Sequence, residues 1–293
     1  MPARSLYFIT FIGFTAVMAA KDVLSRYLLV QGVPVAHWLT FSGSFGLLFA
    51  FLVAVVTREP LRVQSYKYQG IRLVLDGISW ALATQAFKLL NATSISIVAK
   101  AYIPFLILIG PLLGNHFSRT QKACAWAAMT TMVLFACVNR APNEHIAGYV
   151  ILLLCTIVVS VSYIMLRHST LKESPFVVAA TPALACVIVG SLWTWQSGVL
   201  YEPTASQFGW EIVCGFLIYA LYTASIYRYR LLPMGLAEYP ALLTVFLIMP
   251  AEYWLFGWVP GPLYLANILF ALLLIGACVY LNLAQKKAVT TKT

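Results

Sequence analysis

The chain has 293 residues, 61% of them hydrophobic and only 10% charged, with a mean hydropathy of +0.86. Soluble domains average nearer a quarter charged, so this composition excludes a water-soluble globular protein. The formal net charge is +10, from 19 Lys and Arg against 9 Asp and Glu, and its placement argues against a nucleic-acid partner.

Apolar stretches near twenty residues long recur along the whole chain. That is the length a helix rising about 1.5 Å per residue needs to cross a hydrocarbon core of about 30 Å. Ten spans are predicted, at 6–29, 37–57, 70–89, 95–113, 123–138, 146–165, 176–195, 208–227, 236–256 and 263–283. They must be helices, because an open strand would leave amides unpaired in lipid. The alternation of a membrane β-barrel is absent. Arg4, the run 6–18 and Val17-Met18-Ala19 have the pattern of a cleavable signal. The apolar pattern resumes after Lys21-Asp22 and continues to Val30, so this segment is expected to remain as the first helix.

With the N-terminus placed in the cytoplasm, the loop cations sort unevenly. One side receives Arg4, Arg58, Arg62, Lys67, Arg72, Arg119, Lys122, Arg167, Lys172, Arg228, Arg230, Lys286, Lys287 and Lys292. The other receives Arg26, Lys88 and Arg140. The positive-inside rule then predicts that both termini are cytoplasmic. The six cysteines all fall in apolar segments without a C-x-x-C pair, and the four histidines are scattered, so no disulfide, metal or cofactor is expected.

The loop around Arg140–Glu144 leaves five predicted spans on each side. Residues 1–140 and 141–293 read as two five-helix repeats of one membrane domain, inverted relative to each other because five is odd. The third span ends in Lys88-Leu89-Leu90-Asn91-Ala92 and the eighth in Arg230-Leu231-Leu232-Pro233-Met234. Each precedes a short turn and a proline-bearing span, with Pro104 and Pro111 in the fourth and Pro240 and Pro250 in the ninth.

These junctions, the five-plus-five plan, the short loops and Ile275-Gly276-Ala277 in the last span resemble the drug/metabolite transporter superfamily. The bacterial branch is similar to the EamA-type exporters; the organellar branch includes nucleotide-sugar and triose-phosphate translocators. The resemblance implies an all-α fold of ten transmembrane helices, a bacterial inner-membrane location and a cavity lined by the third and eighth helices.

An ionisable side chain at mid-membrane costs ~2.5–3.5 kcal/mol on insertion scales unless paired or hydrated, so each one is a functional candidate. Lys100 lies near the middle of its span, in Val98-Ala99-Lys100-Ala101-Tyr102-Ile103-Pro104. The sugar-phosphate translocators carry a similar pattern whose lysine contacts the anionic substrate, which implies an anion-binding role for Lys100. The alternative is a lysine neutralised by a carboxylate of another helix. Where those proteins are basic in the ninth helix, this chain has Glu238 beside Tyr239 and Pro240. One cation and one anion suit a zwitterion; the alternative is that Glu238 caps the first turn.

Asp76 stands four residues before Trp80, on the same helix face, and is read as facing the cavity or pairing with Arg72 or Lys67. Trp80, Tyr102, Tyr222 and Tyr239 supply apolar walls with polar tips. Lys21 and Asp22 point about 100° apart on a helix and are expected to pair with other helices. They and Glu252 are the coupling or gating candidates. Trp193, Trp195, Trp210, Trp254 and Trp258 read as an interfacial belt.

No Gly-x-x-x-x-Gly-Lys loop is present, which excludes ATP-driven pumping by this chain alone. No Ser-His-Asp or His/Glu cluster suggests an enzyme. The expectation is a secondary transporter in the lipid bilayer, an exporter or exchanger working by alternating access as a monomer or homodimer. Its substrate would be a small polar metabolite, an amino acid or related zwitterion, with protons as the coupling ion. The alternatives are an organic anion or nucleotide-conjugate exchanger, and a membrane-embedded enzyme or accessory subunit acting on lipid-linked substrates.

Overall fold

A backbone in hydrocarbon has no water to satisfy its amides, so each crossing segment must bond to itself as a helix. A computed structural model describes residues 3–113, 118–138, 144–170, 172–198, 200–231, 239–257, 259, 261–262, 265–266, 268–270, 272–277 and 280. Its helices are α1 (Ala3–Val30), α2 (Val35–Thr57), α3 (Tyr66–Leu89), α4 (Ala92–Ala99), α5 (Tyr102–Ile109), α6 (Arg119–Val138), α7 (Ile146–Thr170), α8 (Pro175–Ser197), α9 (Ala205–Leu231) and α10 (Tyr239–Phe256). A 3-10 turn follows α5 at Gly110–Leu113, and a shorter apolar helix lies at Ile268–Ala277. No strand occurs among the described residues.

Five helical segments are long and apolar enough to cross a membrane: Val35–Thr57, Ala92–Ile109, Ile146–Thr170, Pro175–Ser197 and Ala205–Arg230. The protein is an integral membrane protein by that measure. Large apolar side chains face outward, among them Val56, Leu192 and Leu273.

The fourth predicted span departs from the single helix expected of it. It breaks at Lys100 and Ala101 into the half-helices α4 and α5. Pro104 is the cause, because it has no N–H for the Lys100 carbonyl and its ring crowds that same oxygen. The Lys100 carbonyl instead accepts from Ile103 N at 3.0 Å, a tighter i to i+3 closure. Lys100 N and Ala101 N likewise bond three residues back, to Ile97 and Val98.

Pro182 has a comparable effect inside α8. Its missing N–H releases the Val178 carbonyl, and the buried Arg72 guanidinium of α3 donates to that oxygen at 3.4 Å. A proline on one helix thereby creates the acceptor that anchors an arginine of another.

Helix pairing is close where side chains are smallest. α2 packs against α8 and α9, α3 against α7 and α8, and α1 against α9 and α10. At the α2–α8 contact, a Cβ added to Gly43 would lie 2.8 Å from the Ala183 carbonyl oxygen. At the α2–α9 contact, one added to Gly215 would lie 2.9 Å from both Gly46 N and the Ser42 oxygen. Lipid tails are as apolar as the helices, so such backbone proximity, not solvent exclusion, drives association in the membrane.

Candidate functional site

A cavity of about 120 Å³ opens between α1, α3, α4, α5, α7 and α9. Its wall contains Lys21 and Asp22 of α1, Asp76 and Trp80 of α3, Tyr102 of α5, Ser162 and Tyr163 of α7, and Tyr222 of α9. A larger groove of about 560 Å³ between α1, α9 and α10 is lined by alanines, leucines, valines, Tyr27 and Trp210, without a carboxylate, amine, guanidinium or imidazole. The charged chemistry therefore belongs to the central cavity.

Two ion pairs meet there. Lys21 Nζ lies 2.7 Å from Asp22 Oδ1 and 4.9 Å from the centroid of the Trp80 ring. The expectation that these neighbours would pair with other helices does not hold. The flexible four-carbon lysine stem spans the angular separation, and a low-dielectric wall rewards the nearest opposite charge. The second pair is Asp76 Oδ2 with Arg72 Nη2 at 3.4 Å, one helical turn apart. Arg72 also donates to Gln69 Oε1 at 3.1 Å, and Gln69 accepts from Thr181 Oγ1 at 2.7 Å. Ser162 donates to Asp76 Oδ1 from across the cavity. Asp76 is thus both a wall residue and the partner of Arg72, two placements that were alternatives in the sequence.

Aromatic rings form the remaining wall. Tyr102 and Tyr163 have ring centroids 5.0 Å apart, and Trp80 packs on Trp38 at 5.7 Å. The buried Trp80 indole N–H has no acceptor among the described residues. A buried donor without a partner is uncommon and marks a place where an incoming acceptor gains a hydrogen bond.

Lys100 is fully buried at the α4–α5 break, and the structure does not bring it into the cavity wall. Its Nζ approaches Met18 Sδ at 3.9 Å, and Met18 lines the cavity, so Lys100 stands one side chain behind the surface. Tyr239 begins α10, but its side chain and the whole of Glu238 lie outside the described residues.

Glu252 is placed away from the cavity, at the junction of α3 and α4. It accepts from Ala92 N at 2.5 Å, Thr93 N at 2.8 Å and the Thr93 hydroxyl, and lies 3.5 Å from Arg26 Nε. Asn91 N donates to Glu144 Oε1 at 3.0 Å, and Ser94 N donates to the Asn91 side chain at 2.7 Å. The start of a helix leaves its first amides without carbonyl partners, and its dipole favours negative charge. Here the amides of Asn91, Ala92, Thr93 and Ser94 are met by two carboxylates and one side-chain amide. Asn91→Ala should therefore lower stability by about 1 kcal/mol, read as a fall in thermal unfolding midpoint in detergent.

Several wall residues were not singled out in the sequence. Leu152, Cys155, Thr156, Val159, Ser162, Tyr163 and Leu166 of α7 follow helical spacing on one face. Cys155, Thr156, Ser162 and Tyr163, small or hydroxylated residues on one face of an otherwise apolar span, were the available signal. A buried pair of His37 on α2 and Glu211 on α9, 3.2 Å apart, also escaped notice. Glu211 follows Ser206, Gln207, Phe208, Gly209 and Trp210 at the start of its span, where it reads as an interfacial residue.

Fold and cavity together define a polytopic helical membrane protein with ionisable groups gathered between its helices. No family model and no curated protein matches the chain. A solved structure described only as "Crystal structure of protein" superposes with a TM-score of 0.63 at 18% identity, covering 92% of this chain and 97% of its own. At that identity the likeness concerns the fold alone.

Proposed function

We propose that the protein is a secondary transporter of a small zwitterionic metabolite, working by alternating access between two inverted five-helix halves. The observation that carries this reading is a cavity between the helices with acidic and basic groups on its wall. It holds Lys21 against two carboxylates, Asp22 and Asp76. Polar groups inside a bilayer are expensive and mark substrate or ion pathways. A substrate carboxylate would meet Lys21 and the Trp80 N–H, and an ammonium group would meet Asp76, braced from behind by Arg72. Lys100, behind Met18, would add positive potential without contact. At about 120 Å³ the cavity is smaller than the ~300 Å³ and upward of typical small-molecule pockets, which suits a small substrate.

Helix pairing supports the inverted repeat. Under exchange of the halves, α1 corresponds to α7, α2 to α8 and α3 to α9. The α2–α9 contact then maps onto α3–α8, α1–α9 onto α3–α7, and α1–α10 onto α7 with α4 and α5; all of these pairs are in contact. With the charge split of the loops, the reading places both termini in the cytoplasm of a bacterial inner membrane. An anion exchanger is the weaker reading, because its cavity should be net positive, whereas this wall carries more carboxylates than amines.

The test is uptake into proteoliposomes of a panel of neutral amino acids, with matched analogues lacking the amine or the carboxylate. Lys21→Gln and Asp76→Asn should each reduce transport of a recognised zwitterion at least about tenfold, since hydrogen bonds to charged groups contribute roughly 1.5–3 kcal/mol. Asp76→Asn should also remove the preference for the amine-bearing member of a pair. Equal transport of both members by the wild type would overturn the zwitterion assignment.

A further inference from the structure

One face of the molecule gathers the end of α2, the residue 58–65 connection, the start of α3, the end of α7 and the start of α8. Its carboxylates are engaged by backbone. Glu59 Oε2 accepts from Phe176 N at 3.0 Å, and Glu173 accepts from Gln64 N at 3.0 Å and from Ser65 N. Ser174 Oγ donates to the Pro60 carbonyl at 2.8 Å, so the two connections form one surface. Arg230 is bound inward as well, donating to the carbonyls of Thr170 and Glu173 at 2.8 and 2.7 Å.

Arg58, Arg62, Lys67 and Lys172 remain exposed. No ion pair among the described residues includes any of them. The two carboxylates are thus turned toward backbone amides while four cations project outward, leaving this face with an excess of positive charge. Leu61 and Tyr66 are exposed among these cations, at 49% and 71%. The patch also sits where α2, α7 and α8 finish or begin their membrane-crossing lengths, at Thr57, Thr170 and Pro175. Lipid headgroups lie at that level, and charges there act over a Debye length of about 8 Å in physiological salt.

We infer that this patch binds the phosphate headgroups of anionic phospholipids in the leaflet it faces, with Leu61 and Tyr66 seated against the upper acyl carbons. The four cations supply phosphate recognition, and the two apolar side chains favour a lipid over a soluble anion. The inference needs only the membrane-crossing helices and stands apart from the transport reading.

Delipidated protein in neutral detergent is titrated with phosphatidylglycerol and, separately, with phosphatidylcholine of the same acyl chains, bound lipids being counted by native mass spectrometry. The wild type should bind the anionic lipid at least about fivefold more tightly. The variant Arg58→Gln/Arg62→Gln/Lys67→Gln/Lys172→Gln should abolish the preference, and Arg119→Gln/Lys122→Gln, two exposed cations elsewhere, should keep it. Should the fourfold variant not fold, Arg62→Gln/Lys172→Gln is expected to give an intermediate preference. Three results would overturn the assignment: equal affinities in the wild type, an undiminished preference in the patch variants, or an equal loss in the control. Displacement of the lipid by excess inorganic phosphate would overturn it too, assigning the cations to a soluble anion.

Discussion

Gly190→Leu is expected to prevent assembly of the α2–α8 pair and with it the recovery of folded protein. A Cβ at position 190 would lie 2.5 Å from Thr40 Oγ1, 2.6 Å from Thr40 N and 2.7 Å from the Ala36 carbonyl oxygen. The hydroxyl could rotate away, but the other two atoms belong to the backbone of α2. Relief requires the helices to separate, which also opens the neighbouring contact at Gly43. Overpacking by single methylenes costs about 1–3 kcal/mol where side chains yield, and a backbone collision exceeds that range. Gly70→Ala and Gly209→Ala, whose added Cβ would meet nothing within 4 Å, should leave stability unchanged or slightly raised. Size-exclusion profiles and thermal midpoints of the three variants in one detergent make the comparison. A monodisperse, wild-type-like Gly190→Leu protein would disprove the close seam.

Glu252→Ala is the second large effect. The carboxylate, at 1% exposure, is the acceptor for Ala92 N and Thr93 N and lies 3.5 Å from Arg26 Nε. Each buried donor left without an acceptor costs about 1–3 kcal/mol. Loss of at least ~3 kcal/mol should lower the thermal midpoint by roughly 6–12 °C in a protein of this size. Glu252→Gln should fall between wild type and Ala, because its remaining carbonyl oxygen still accepts from one amide. Arg26→Ala combined with Glu252→Ala should lose less than the sum of the single variants, since each removes part of the same contact. Additive losses would mean that Arg26 and Glu252 do not stabilise one another.

The same residue shows how a charge in an apolar span divides into separate questions for sequence and structure. The cost of an ionised group in hydrocarbon singles out Glu252, Asp76, Lys100, Lys21 and Asp22 from composition alone. Whether such a charge faces a cavity or caps a neighbouring helix depends on what crosses beside it. For Glu252 the neighbour is the start of α4, a helix separated from it by more than half the chain, and no local pattern encodes that approach. For Lys100, one step of helix rotation and the Pro104 break decide between lining the cavity and standing behind Met18.

Hydropathy by itself determined that this is a helical membrane protein and placed most helix bounds closely. The spans read at 37–57 and 146–165 became Val35–Thr57 and Ile146–Thr170. Twenty apolar residues have one stable form in lipid, so local composition suffices. Local chemistry also explains the Asn91 cap and the break before Pro104 once the structure points to them. Tertiary structure alone decided which polar groups meet. Ser162 reaches Asp76, Arg72 takes the carbonyl released by Pro182, and Glu59 and Glu173 turn inward so that their face is left basic. Each of these contacts joins residues distant in sequence, and glycine-close helix packing, acting over the whole bundle, is what brings them within hydrogen-bonding reach.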